Sequence, residues 1–293
     1  MPAPEGHCWL CREYGKLSKE HLPAEKAYND CPRLLMKIVD INSRDGTLRW
    51  DPTQYSKGVW IRSLCERCNT KYGNRYVGSY VDLVRRVAER ISDVHESHTI
   101  PISRVRNPFL ILKQVMLQFV TANGDRFVGA NDWVAPFIME RWNAEIPQNI
   151  AVYLFASNSP SGRNSGVSVH RDWNINKTRV VSEFTSWPLG TVISYDGELI
   201  DDRLSPIHHW TQYANKNQYA DLRLRVNPVA SEYPLDFRTW SEIRSSSTKE
   251  PDDLKNASEQ DVEEMMEKVK KVSGETENWI LSGHPNTVSR LRK

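Results

Sequence analysis

Apolar and polar positions change their period twice along this chain. Up to about residue 68 the apolar residues come in short runs broken by polar and turn residues, the pattern of short strands. Residues 18–22 read as a strand ended by Pro23, and residues 59–64 as a second one. Between them, residues 24–29 suit a helical turn, residues 34–41 a strand or short helix, and residues 42–46 (Asn-Ser-Arg-Asp-Gly) carry turn chemistry. From Asn69 the period becomes helical. Val77, Tyr80, Val81, Val84, Ala88 and Ile91 recur at three- and four-residue steps, predicting a helix over about 69–92 with Arg75, Arg85, Arg86 and Arg90 mostly off the stripe. Residues 93–104 read as a loop, and its His95 and His98 as surface residues.

Asn107-Pro108 is a helix start, an N-cap followed by a first-turn proline. Phe109, Leu112, Val115, Met116 and Phe119 form one apolar stripe, and Gly124 is placed to end the helix. A second helix is expected over 131–143, with Asn131 as its cap. From residue 149 the period moves toward two: residues 150–156, 167–175, 178–187 and 190–195 predict an antiparallel meander, and 222–226 one more strand. His170 with Asp172, and His208 with His209, read as polar-face residues without a nucleophile motif. Residues 241–256 are linker-like, and Ser258 with Asp261 resembles a capping box that opens a helix to about 272. The class is α+β, divided as 1–94, 105–240 and 241–293.

Composition changes this picture little. The 293 residues are 39% hydrophobic, enough for a core, and no run of apolar residues is long enough for a membrane span. With no basic-then-apolar signal segment, a soluble cytoplasmic protein is expected. Charge is more informative. The net +2 conceals 16 Lys/Arg against 11 Asp/Glu in residues 1–92, and 23 against 26 in the remainder. A local basic excess suits a polyanionic partner. From Glu250 to Glu267 eight acids face one lysine, so the C-terminal region should avoid nucleic acid. That region is expected to dock on the body, on a protein partner or on a second copy.

All five cysteines lie in the first 68 residues, and four form two C-x-x-C pairs, Cys8/Cys11 and Cys65/Cys68, leaving Cys31 outside. Paired thiolates at this spacing point to one closed, tetrahedral structural zinc site rather than a disulfide framework. Between the pairs stands Glu20-His21-Leu-Pro23, and Asn69 follows the last cysteine. Alternation along a strand sends Glu20 and His21 to opposite faces unless the strand twists or ends there.

The order C-x-x-C, E-H-x-x-P, L-C-x-x-C-N-x-x-x-G resembles the HNH nucleases, whose ββα-metal site is often stapled by two C-x-x-C pairs. The resemblance spans residues 8–80, about a quarter of the chain, and is also similar to bacterial HNH proteins with a long C-terminal extension. It implies a zinc-stapled, treble-clef-like ββα-metal domain followed by two helices, a β-meander and a C-terminal helix. It also implies a metal-dependent endonuclease acting on DNA, with RNA not excluded by the motif, serving phage defence or a mobile element. His21 matches the general base, since a neutral imidazole can take a proton from water near neutral pH. Glu20 and Asn69 match the ligands of a catalytic divalent cation, for which Mg2+ or Mn2+ suits oxygen donors. Arg67, Lys71 and Arg75 lie near enough to Asn69 in sequence to reach a bound phosphate. The family's middle asparagine falls at Trp60 here, which leaves Asn42, Gln54 or the backbone to hold His21. The alternative is a non-catalytic zinc module that binds nucleic acid or a protein.

Overall fold

The computed structural model describes residues 3–35, 53–91, 98–159, 162–172, 177–199, 201–215, 218–229 and 235–237, with 239, 241–242, 267–268 and 271–272. Strands β1 (Glu5–His7) and β2 (Tyr14–His21) form a hairpin around the first C-x-x-C. A second short hairpin-like pair joins β3 (Arg33–Leu35) to β4 (Thr53–Tyr55), and β5 (Trp60–Cys65) returns to pair antiparallel with β2. The reading of 34–41 meets the structure only at Leu34 and Leu35, in β3; the rest of it, and the turn at 42–46, fall outside the described residues. The predicted turn at 24–29 is present, closed by the Asn29 N–H donating to the Glu25 carbonyl at 3.1 Å.

From β5 the chain passes directly into α1 (Glu66–Tyr72), a five-residue π-helical segment (Gly73–Val77), and α2 (Gly78–Ile91). The helix therefore begins three residues before Asn69, with Cys65 as its N-cap. Tyr72 and Tyr76 stack across the wider turn at 6.1 Å, and the Tyr76 hydroxyl donates to the Ile138 carbonyl at 2.7 Å. Tyr80, Leu83, Val84 and Val87 continue this face into the interior.

The loop expected over 93–104 is in its described part a strand, β6 (Thr99–Arg106). Ile100, Ile102 and Val105 are buried, but polar neighbours disguise the alternation, and the partner strand lies over a hundred residues away, at β12 (Tyr219–Asn227). Helix α3 (Pro108–Asn123) starts where expected. Asn107, however, is left-handed (φ 52°) and its amide donates to Ser79 Oγ (3.4 Å) instead of capping the helix. The predicted stripe of five is too narrow, because α3 is buried on every side, Lys113, Gln114 and Gln118 included.

A four-residue helix, α4 (Phe127–Ala130), precedes the expected start, and the helix expected over 131–143 is present only as α5 (Val134–Met139). Its stop is physical: the Lys113 ammonium takes the carbonyls of Phe137, Glu140 (3.0 Å) and Asn143 (2.9 Å), which a longer helix would need for itself. Phe109 and Phe137 flank that ammonium at 4.6 and 4.2 Å.

The large sheet runs β6-β12-β7-β10-β9-β8, with β7 (Ala151–Ser157), β8 (Arg163–Asp172), β9 (Lys177–Ser186) and β10 (Leu189–Ser194); β11 (Ser205–Pro206) also pairs with β7. The meander holds for β8-β9-β10 but not for β7, which lies beside β10, and β12 joins β7 in parallel. The sheet is therefore mixed. Strands β7 and β10, buried along their whole length, occupy its middle. One continuous apolar cluster runs from Cys8 and Leu64 through the helices to Val226, on the face that α3 covers. Tyr153, Phe155 and Val192 on the opposite face are covered by Leu204, Leu235 and Phe237, beside a fully buried Arg163–Glu183 ion pair at 2.6 Å.

Of the predicted C-terminal helix, residues 267–268 and 271–272 are described and helical; the remainder lies outside the described residues. Val272 packs on the main cluster, and its carbonyl accepts from the Asn131 amide. No helix among the described residues is long and apolar enough to cross a membrane.

Candidate metal centre and the adjoining strand face

The four cysteines converge. The first pair sits on a tight turn in which the Cys8 N–H donates to Glu13 and the Arg12 N–H to Cys8, both at 2.9 Å, with Arg12 at φ 65°. The second pair spans the β5–α1 junction, Cys65 at the N-cap and Cys68 one turn into the helix. A 2.8 Å bond from the Trp9 N–H to the Ser63 carbonyl holds the two halves together. All four sulfurs lie within 4.8 Å of one another, and Cys11 and Cys65 are 3.8 Å apart. A zinc–sulfur bond of about 2.3 Å gives a tetrahedron edge of about 3.8 Å, so the group fits a metal such as zinc with little adjustment. Cys8 and Cys68 are buried and the other two half-buried, whereas Cys31 is exposed and away from the group.

The thiols influence one another: hydrogen bonding with Cys68 lowers Cys8, the same contact and burial push Cys68 up, and burial pushes Cys11 up. This is the only group of three or more His, Cys, Asp or Glu placed to hold a metal among the described residues.

The second half of the expected site lies on β2 and β5. Register pairs Lys19 with Arg62, Glu20 with Ile61 and His21 with Trp60, after a bulge between Ser18 and Lys19. Cross-strand partners share a face, so Lys19, His21, Trp60 and Arg62 fall on one side and Glu20 with Ile61 on the other. Glu20 is 8% exposed, and desolvation raises its carboxyl to about 7. His21 is half-buried, and its Nδ1 has no hydrogen-bond partner among the described residues. The structure thus leaves Glu20 and His21 on opposite faces, as alternation requires.

Asn69 crosses from α1 to β2. Its amide donates to Ser18 Oγ (3.0 Å) and to the Lys19 carbonyl (2.7 Å), fastening helix to strand at the bulge. Of the basic residues singled out around it, Arg67 pairs with Glu13 at 2.8 Å on the surface, and Lys71 and Arg75 lie exposed beside the Tyr72 ring at 5.2 and 5.9 Å.

Sequence reasoning missed two features. Asn29, 2% exposed, donates to the carbonyls of Pro23 (2.7 Å) and Val59 (2.9 Å) and accepts from the Val59 N–H (2.8 Å). It ties the chain just beyond His21 to the residue just before Trp60. Gln54 is exposed, and Asn42 lies outside the described residues. No local signal marks Asn29, because its partners are 6 and 30 residues away. The other feature is Trp60, whose ring centroid lies 4.1 Å from Lys19 Nζ and 5.6 Å from the Arg62 guanidinium, with Tyr55 edge-on at 5.7 Å. The alternation of Trp60 with Arg62 on a strand was the available clue. Elsewhere His208 sits 3.2 Å from Glu198, with its ring edge-on to those of Tyr153 and His209. Compared with protein-family models, curated proteins and solved structures, the chain matches none.

Proposed function

We propose that this chain is a metal-dependent endonuclease of the HNH type, hydrolysing phosphodiester bonds of DNA with His21 as general base. The observation that carries the reading is the cysteine cluster's position: it joins the β1–β2 turn to the β5–α1 junction, next to Asn69 and at the other end of the paired β2–β5 stretch from His21. A zinc ion held by Cys8, Cys11, Cys65 and Cys68 would keep that geometry, with every coordination position filled by sulfur. Asn29 fixes the backbone at the exit of the His21 strand and at the entry of its partner, without touching the imidazole. The His21 Nδ1 is buried, so the water proton would pass to Nε2 as the hydroxide attacks phosphorus. A divalent cation, Mg2+ or Mn2+, would stabilise charge on the phosphate; of its two expected oxygen donors, Asn69 engages only its amide nitrogen with β2, whereas Glu20 faces away from His21.

A second reading has its own support. Glu20 is buried on the far face, and the Asn69 amide is already engaged with β2. Both facts suit a zinc module that binds nucleic acid without cutting it. Plasmid and RNA incubated with Mg2+ or Mn2+, beside His21→Ala and a chelator control, separate the two. Cleavage that His21→Ala abolishes supports the hydrolase. Cleavage that survives His21→Ala refutes the assigned base, and binding without cleavage favours the module.

A further inference from the structure

We propose that the β2–β5 face carrying Trp60 is a stacking platform for single-stranded nucleic acid, placing an unpaired nucleotide beside His21. The proposal deepens the nuclease reading and rests on it for the role of His21, while the binding itself does not need catalysis. Trp60 is half-exposed on a strand, and the side chains across and diagonal to it are His21, Lys19 and Arg62. None of these is acidic. Lys19 Nζ lies 4.1 Å from the ring centroid and the Arg62 guanidinium 5.6 Å, so the indole already holds cations against its π system. Tyr55 meets it edge-on at 90° and fixes the ring plane.

Such a platform favours an unpaired base for a geometric reason. In a duplex each base face is covered by its neighbours, whereas a single strand can lay a base on an indole. Stacking on an aromatic ring outweighs an exposed cation–π contact, so a base displaces the Lys19 ammonium, which is then free to pair with the adjacent phosphate. Cross-strand side chains start about 5 Å apart. A nucleotide stacked on Trp60 therefore has its sugar–phosphate within reach of the His21 imidazole. The backbone beside Trp60 is held at Val59 by Asn29, so the strand end that carries the indole is fixed without its help.

The test is fluorescence anisotropy with labelled oligothymidylate, oligouridylate and a mixed-sequence duplex, in chelator so that nothing is cut, using the zinc-loaded full chain. Wild type should bind single strands more tightly than duplex. Trp60→Ala should weaken single-strand binding about tenfold and leave duplex binding unchanged, while Trp60→Phe retains most of it. Lys19→Ala, at an exposed position, should lower the salt slope of binding by about one. Equal affinity of Trp60→Ala and wild type, with zinc and circular dichroism intact, overturns the proposal, as does a preference for duplex. Single-strand binding lost with Trp60, in a protein that cuts nothing when Mg2+ or Mn2+ is supplied, upholds the platform and overturns the hydrolase. Duplex cleavage dependent on His21 but indifferent to Trp60 does the reverse.

Discussion

Asn29→Ala is the most direct probe of what holds the His21 strand end. The substitution removes two donated bonds and one accepted bond from a side chain that is 2% exposed. Their partners do not suffer equally. The Val59 carbonyl keeps the Leu22 N–H at 3.0 Å, so two groups, the Pro23 carbonyl and the Val59 N–H, lose their partner. A buried polar group left unsatisfied costs about 1–3 kcal/mol. Two of them, partly reachable by water, give a loss of about 3 kcal/mol. With a urea slope of about 3 kcal/mol/M for a chain of this size, the midpoint should fall by about 1 M. Urea titration of the zinc-loaded protein, followed by tryptophan fluorescence, measures it. Gly58→Ala provides an independent approach to the same contact, because its Cβ would fall 1.8 Å from the Asn29 carbonyl oxygen at φ +65°. It should destabilise the protein at least as much. A midpoint for Asn29→Ala within about 0.2 M of wild type would refute the clamp.

The other predictions concern the metal, the buried charges and the far face of the sheet. Metal analysis should find about one zinc per chain, and Cys65→Ser should lose it together with protease resistance of residues 3–35. Lys113 lies wholly inside the protein, and desolvation lowers its pKa from 10.5 to about 7. Between those values the unfolded chain holds more protons than the folded one, so stability should rise as pH goes from about 7 to 10. Lys113→Met should flatten that rise in urea titrations at several pH values and, by orphaning the Phe137 and Asn143 carbonyls while that of Glu140 keeps the Asn143 N–H at 3.2 Å, cost about 3 kcal/mol at pH 7. Glu183 accepts from Arg163 (2.6 Å), Thr185 (2.7 Å) and the Leu235 N–H (2.6 Å). Its replacement by alanine should cost about 3–5 kcal/mol in thermal or urea denaturation, the usual cost of breaking a buried pair.

Much of the architecture was legible because it rests on local pattern. The helix through Tyr80, Val84 and Ile91 and the start of α3 at Pro108 follow from spacing and backbone chemistry alone. So does the pairing of the two cysteine knuckles. What stayed hidden depends on distant partners. Strand β6 is a strand because β12 lies beside it, and α5 stops at Met139 because Lys113 reaches its carbonyls from another helix. The parallel seating of β12 on β7 has no sequence signature at all. At the site, the cysteines were readable by spacing and the opposite facing of Glu20 and His21 by alternation. The Asn29 clamp was not, since it is defined by groups six and thirty residues away.

The metal site also has a topological consequence. Cys11 and Cys65 are 54 residues apart, so a bound ion cross-links the chain across a long loop. Closing a loop of that length restricts the unfolded chain by about 4 kcal/mol on the chain-entropy account used for disulfides. The same logarithmic law makes the loop's length nearly immaterial, since doubling it changes the closure term by only about 0.6 kcal/mol. The thiolates on either side therefore hold β2 and β5 in register almost independently of how many residues the chain places between them.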